Sequence, residues 1–180
     1  MEGAAVKLER PDVKYKTSFM AAVREFQAAN NGGRDILRLE ANDLEHDFAS
    51  YVQGQLRLDD PAHLEPGKVL SSEFWLMDDL EFLGRIALRH ELNDHLRLFG
   101  GHIGYEIRPS QQRQGLGKLM LKLVLEKARA IKLERVLITC DVENLGSRRV
   151  IEANGGELEG EFQLEFYEKP IRRYWINLEP

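Results

Sequence analysis

The chain has 180 residues, 43% hydrophobic and 31% charged, and a formal net charge of −5. That length carries one domain with a substantial core, and the acidic balance speaks against a nucleic-acid surface, which needs clustered cations. Cys140 is the only cysteine, so no internal disulfide forms and no cysteine-rich zinc pattern exists.

No apolar run approaches the roughly 20 residues of a membrane span, and "MEGAAVKLERPD" holds no signal-peptide stretch. A single domain over 1–180, cytoplasmic, with neither a membrane nor a nucleic-acid partner and without a metal, is expected. "AAVKLER" reads as a first strand ended by Pro11. Phe19, Ala22, Val23 and Phe26 recur at helical spacing and predict a helix from Ser18 to Ala29, stopped by "NNGG". A second helix is expected to start at Asn42 or Asp43, good N-caps, and to bury Leu44, Phe48, Tyr51, Val52 and Leu56. "DDPAHLEPG" must be loop.

"EFWLMDD" and "EFLGRIALRH" predict a hairpin turning at Asp78–Glu81, with Ile86 and Leu88 on one face. "NDHLRLFGG" is read as a connector and "GHIGYEIRP" as a strand in which Gly104 marks a bulge or a close backbone approach. The next helix is predicted to face the core with Leu116, Leu119, Met120, Leu123 and Ala128. "RVLITC" has the continuous apolar character of a strand buried on both faces. "NLGSRRVIEANGG" predicts a short helix capped by Asn144 and stopped by Gly155, and the tail predicts two closing strands joined near Lys169 and Pro170. The order is mixed α+β with a strand–loop–helix–strand crossover at its centre.

Gly115 and Gly117 stand where the long helix must begin, although glycine inside a helix costs about 1 kcal/mol relative to alanine. One reading is steric: bare amides at the positive end of a helix receive an anion, with Arg113 and Lys118 adding charge. The other is a loop that needs a positive φ. Two nucleotide-binding patterns fail on spacing. Gly-x-Gly-x-x-Gly would need glycine where Met120 stands, and the Gly-Lys-Ser/Thr ending of a P-loop is absent.

"QRQGLG" does satisfy Gln/Arg-x-x-Gly-x-Gly/Ala between a strand and a long helix. It resembles the pyrophosphate-binding motif of the GNAT superfamily of acyl-CoA-dependent N-acetyltransferases. The resemblance runs through "RVLITC" and "DVENLGSRRVIEANGG", about residues 100–156, which would form the acyl-CoA-binding core. "LRHELNDHLRLFGGHIGYEIRPS" further resembles an uncharacterised bacterial branch of acetyltransferases. The fold so implied is a central, mostly antiparallel, splayed sheet of about six to seven strands flanked by about four helices.

Acetyl-CoA is the co-substrate that the resemblance implies, with an amine of a small molecule or peptide as acceptor, and it leaves room for a homodimer. A non-catalytic acyl-CoA-binding module is the alternative. The family's loop maps onto Gln112, Arg113, Gln114, Gly115, Leu116, Gly117 and Lys118. The strand edge along the pantetheine arm maps onto Ile107, Arg108 and Pro109. Asn144 is either a pantetheine contact or a plain N-cap, and Ser147 either a cofactor contact or a solvated first-turn residue.

Acetyl transfer needs a neutral amine, a stabilised oxyanion and a proton for the thiolate. Backbone N–H groups near Tyr105 to Ile107 could serve the oxyanion. Glu106 is the first candidate for general base and His102, of the same strand parity, the weaker one; Glu106 paired with Arg108 or standing in solvent is the competing reading. The family's usual tyrosine falls near Ile151 here, which leaves Tyr105, Tyr167 and Tyr174 as unranked substitutes. Cys140, in an apolar strand, reads as a buried structural thiol.

Overall fold

In the computed structural model, residues 6–30, 34–37 and 39–178 are described. Ala4 and Ala5 of the first predicted strand and residues 31–33 of "NNGG" lie outside them. Among the described residues, seven strands form two antiparallel sheets. The first holds β1 (Lys7–Glu9), β2 (Ser71–Asp78), β3 (Glu81–Arg89) and β4 (Ile103–Ile107), in that order. The second holds β5 (Arg135–Asp141), β6 (Glu157–Phe162) and β7 (Ile171–Asn177), in the order β5-β7-β6. The expected splayed α+β architecture is therefore present, with the splay complete enough to divide the sheet between β4 and β5.

Helix α1 (Lys16–Ala29) ends on Asn30 at φ 45°. After it come α2 (Arg34–Leu37), which periodicity did not announce, and then α3 (Ala41–His46) and α4 (Phe48–Leu56). The single helix expected from Asn42 or Asp43 is thus two. Glu40 stands at the first N-cap, and Asp47 (φ −127°) breaks the run and caps α4 by accepting from Ser50 N–H. The apolar spacing survives the break, because Leu44, Phe48 and Val52 are all buried. "NDHLRLFGG" contains a short helix, α5 (Asp94–Leu98), with Asn93 accepting from Leu96 N–H. Helices α6 (Leu116–Ala130) and α7 (Leu145–Glu152) follow as expected.

Alternation along β2 divides the interior. Leu76, with Ile86, Leu88 and Ile103, faces α6 and the second sheet, where Met120, Leu121, Val124, Leu125 and Ala128 pack. Trp75 and Met77, with Phe82, face α1–α4, and Phe19 stacks on Trp75 at 4.5 Å. Each such buried side chain contributes roughly 1.5–3 kcal/mol. Leu121, Val124 and Leu125 were missing from the expected inward face of α6: lying against both sheets, the helix buries a wider arc than one stripe.

Gly104 makes no bulge. Pairing of β3 with β4 is regular from Gly84↔Ile107 to Leu88↔Ile103, and the register shifts lie instead at Leu76/Met77 and Leu158/Gly160. The two sheets touch at one end of the gap. His102 N–H donates to Leu137 O (2.7 Å), Leu137 N–H donates to His102 Nδ1 (2.9 Å), and Gly100 N–H donates to Thr139 Oγ1 (3.0 Å). Gly101 sits here at φ +61°, where a Cβ would run into the Leu137 carbonyl. Among the described residues no helix is long and apolar enough to cross a membrane.

Candidate functional site

Past this seam the strands part, and β4 turns one edge to the gap. Arg108 N–H donates to Leu83 O on β3 (2.9 Å), and alternation along an antiparallel strand turns the N–H groups of Tyr105 and Ile107 the other way. Pro109 opens a turn, and the chain reaches α6 through the glycine loop. The two glycines have separate structural reasons. Gly115 is the N-cap of α6 at φ +82°, a left-handed conformation costly for any side chain. A Cβ on Gly117 would stand 3.0 Å from Val150 Cγ2 of α7, so this glycine lets α6 and α7 approach. Asn154 adds to the same junction, its Nδ2 donating to Val150 O (2.9 Å) and Lys118 O (3.3 Å).

The loop conformation leaves amides open. Lys118 and Leu119 N–H donate to Gly115 O (3.0 and 3.2 Å) and Gln112 N–H to Pro109 O (3.4 Å). Among the described residues, the backbone N–H groups of 113–117 have no acceptor. Arg113, at φ 63°, stands with Gly115 in the left-handed region. A run of open N–H groups at a helix N-terminus fits an anion such as a pyrophosphate. The side chains of Gln112, Arg113, Gln114 and Lys118 are exposed around it, and Leu116 is half-buried. Gln112 Nε2 donates back to Ile107 O (3.2 Å).

Arg108 points away from the loop. Its Nε and Nη2 donate to Glu25 Oε1 of α1 (2.9 and 2.6 Å), and Ser110 N–H donates to Glu25 Oε2 (3.2 Å). The Arg108 guanidinium is the main cause that holds the Glu25 carboxyl below its ordinary pKa. The pairing considered between Glu106 and Arg108 is therefore not formed. Glu106 instead meets Arg85, directly opposite on β3, whose Nε donates to Glu106 Oε2 (3.3 Å), while Arg85 Nη1 stands 4.0 Å from Glu73 Oε1.

These three residues lie in the floor of a cleft of about 1060 Å³ on the sheet face away from α6. Its walls come from α4, the 57–69 loop and α5. The cleft does not include the glycine loop; the two meet at the end of β4. Tyr51 lines it, and its hydroxyl has no hydrogen-bond partner among the described residues. Burial pushes that phenol up to about 12. Trp75 is fully buried in the core rather than in the cleft wall.

His102 is not brought to the cleft. It is 6% exposed, serves as the seam acceptor described above, and is depressed to about 4 by burial and then by Arg97, Arg89 and Arg135. Asn144 caps α7, its Oδ1 accepting from Ser147 N–H (2.9 Å). Ser147 is also joined to Tyr105, with Oγ and OH 2.8 Å apart across the gap. Burial raises the Tyr105 phenol to about 12 and is the first cause that raises the Cys140 thiol. This contact between β4 and α7 depends on two elements far apart in sequence, so no local pattern could announce it. Tyr167 and Tyr174 are turned elsewhere, to Asp141 (2.9 Å) and Glu152 (3.4 Å). Ile151, where the family's tyrosine was expected, is fully buried. Among the described residues no His, Cys, Asp and Glu group could hold a metal ion.

Residues 41–157 match the family model described as an acetyltransferase (GNAT) domain. No curated protein sequence matches the chain. Among solved structures, it resembles the ribosomal L7/L12 α-N-protein acetyltransferase RimL in complex with coenzyme A, at TM-score 0.71 and 18% identity, over 97% of this chain and 96% of that one. It also resembles Mycobacterium smegmatis RimJ in complex with CoA-disulfide, at TM-score 0.69 and 17% identity, over 96% and 85% of the two chains. The microcin C7 self-immunity acetyltransferase MccE, in complex with acetyl-CoA and AMP, gives TM-score 0.70 and 14% identity over 98% and 93%. At these identities the likeness is one of fold.

Proposed function

Because the chain belongs to the GNAT acetyltransferase family, we propose that it transfers the acetyl group of acetyl-CoA to a primary amine of a small molecule or peptide, by direct attack. The observation that carries this reading is the run of open amides over 113–117, set at the end of the strand whose free edge borders the cleft. In this reading those amides, with Arg113 and Lys118, hold the pyrophosphate. The edge Ile107–Pro109 and the α7 cap at Asn144 and Ser147 flank the pantetheine arm. Acetyl-CoA supplies the activated thioester.

The chain's own residues then divide the work. Glu106, an acceptor in the cleft held by Arg85, takes the proton from the incoming ammonium directly or through water. The N–H groups of Tyr105 and Ile107 face the gap and donate to oxygen charge developing there. The Tyr105–Ser147 hydroxyl pair is the proton source nearest the gap for a departing thiolate, which at a pKa of about 8.5 needs little help.

Calorimetry with acetyl-CoA, ATP and NAD, followed by thiol release on an amine panel, tests the reading. Selective acetyl-CoA binding with amine-dependent thiol release is expected. Binding without turnover on any amine would favour a non-catalytic module, and no preference for acetyl-CoA would remove the loop assignment. Glu106→Gln should lower turnover by about 10²-fold or more with the KM for acetyl-CoA unchanged; an unchanged rate removes Glu106 as base.

A further inference from the structure

The charges of the cleft do not suit an acceptor that is only a cation. The chain as a whole stands at −5. Yet among the described residues that line the cleft, four are basic (Arg57, Lys68, Arg85, Arg89) and three are acidic (Glu65, Glu73, Glu106). A bare ammonium ion gains little from such a wall.

Among the described residues the two signs are also separated along the floor. Glu106 and Glu73 gather around Arg85 at one end. Arg89, four residues further along β3, forms the other. Its Nη1 donates to Gly101 O (3.0 Å) and Gly100 O (3.3 Å), and these carbonyl oxygens fix the position of the guanidinium. Between the ends the floor is Ala87 paired with Gly104. A Cβ on Gly104 would meet nothing but the Arg89 guanidinium, at 3.9 Å from both Nη1 and Nη2. A side chain at position 104 would therefore grow towards the Arg89 guanidinium, and the glycine leaves that space open. Gly104 lies two residues from Glu106, about 7 Å along a strand. The Tyr51 hydroxyl, buried and protonated near Arg85, adds a donor to the same cleft.

From this juxtaposition we propose that the acceptor carries an anionic group besides its amine: the amine meets Glu106, and a carboxylate or phosphate is read by Arg89 across the Ala87–Gly104 floor. The proposal rests on the acetyl-transfer reading above. Arg89 is a specificity residue in it and takes no part in proton transfer. The substrate class is a zwitterionic amine whose two charges stand several ångströms apart.

The test uses acetyl-CoA and matched acceptor pairs: γ-aminobutyrate and δ-aminovalerate against their carboxamides, and 3-aminopropyl phosphate against 3-aminopropanol. The anionic member should exceed its neutral partner in kcat/KM by about tenfold or more, the range of one charge-assisted hydrogen bond. Whichever anion ranks higher identifies the group recognised. Arg89→Gln should bring the members of each pair level without changing the KM for acetyl-CoA. Arg89→Lys, which keeps the charge, should retain part of the preference and guards against a folding defect in the first variant.

Equal rates within the pairs overturn the proposal, as does a preference that survives Arg89→Gln, or a neutral peptide amide that outruns every anionic probe. Should no probe turn over, thermal shift of the CoA-saturated protein with each pair decides: no selective stabilisation by the anionic members also overturns it. Failure to bind acetyl-CoA at all strikes the acetyl-transfer reading instead, so the two failures are distinguishable.

Discussion

Acidification should weaken the fold through His102, and the size of the effect follows from the seam. The imidazole is 6% exposed, its Nδ1 accepts Leu137 N–H, and its pKa is lowered from 6.5 to about 4. A depressed histidine pKa means that the native state disfavours the proton. Its contribution is fully present above the unfolded value near 6.5 and is lost as pH falls towards the folded value near 4. At 1.36 kcal/mol per pH unit, the drop amounts to about 3 kcal/mol. For a domain of this size that is a fall in Tm of roughly 6–12 °C. His102→Asn offers Oδ1 in place of Nδ1, keeps an acceptor for Leu137 and removes the titration. The assay is urea unfolding at closely spaced pH values between 7 and 4, on both proteins. The wild type should lose stability through this window while the variant stays nearly level, so that the difference between them shrinks as pH falls. Parallel profiles would refute the argument, since they would mean that His102 protonates equally well in the folded chain.

Two glycines give predictions of opposite sign. Gly54 lies inside α4, and a Cβ there would meet nothing within 4 Å; Gly54→Ala should therefore raise Tm by about 2–3 °C in thermal melts. Because Gly54 lines the cleft, the same variant should raise the KM of whatever acceptor is found and leave that of acetyl-CoA alone. Gly101→Ala, at φ +61° with its Cβ directed at the Leu137 carbonyl, should cost on the order of 3 kcal/mol, and a melt within a degree of wild type would contradict the seam as drawn.

The sequence made local features legible and left cross-chain ones hidden. The hairpin of β2 and β3, the buried run of β5, the glycine loop and the Asn144 cap all follow from patterns within about twenty residues. The purpose of the two glycines did not. A positive φ at Gly115 and the approach of Val150 to Gly117 look identical in one dimension. The Asp47 break was hidden because the residues on either side keep helical spacing through it. The surroundings of Glu106 stay open in the sequence for a related reason: Arg108 is the near neighbour along the chain, but the register of β3 with β4 sets Arg85 opposite, and Arg108 reaches Glu25 in another layer. His102 shares the parity of Glu106 yet lies beyond the end of β4, where the chain bends into the seam. Cleft residues such as Arg57, Arg89 and Glu73 come from three separate segments, so their shared surface has no signature along the chain.

The first sheet separates two apolar interiors, and β2 and β3 serve both. On one side Trp75, Met77 and Phe82 anchor α1–α4; on the other Leu76, Ile86 and Leu88 anchor α6 and the second sheet. The glycine loop belongs to the second interior, while the α4 wall of the cleft belongs to the first. Substitutions that remodel α2–α4 therefore leave the packing behind the loop intact, and the reverse holds for α6 and α7. A lineage can redraw what enters the cleft while the loop that begins α6 stays fixed, because a sheet two side chains thick stands between the changes and the part that must not move.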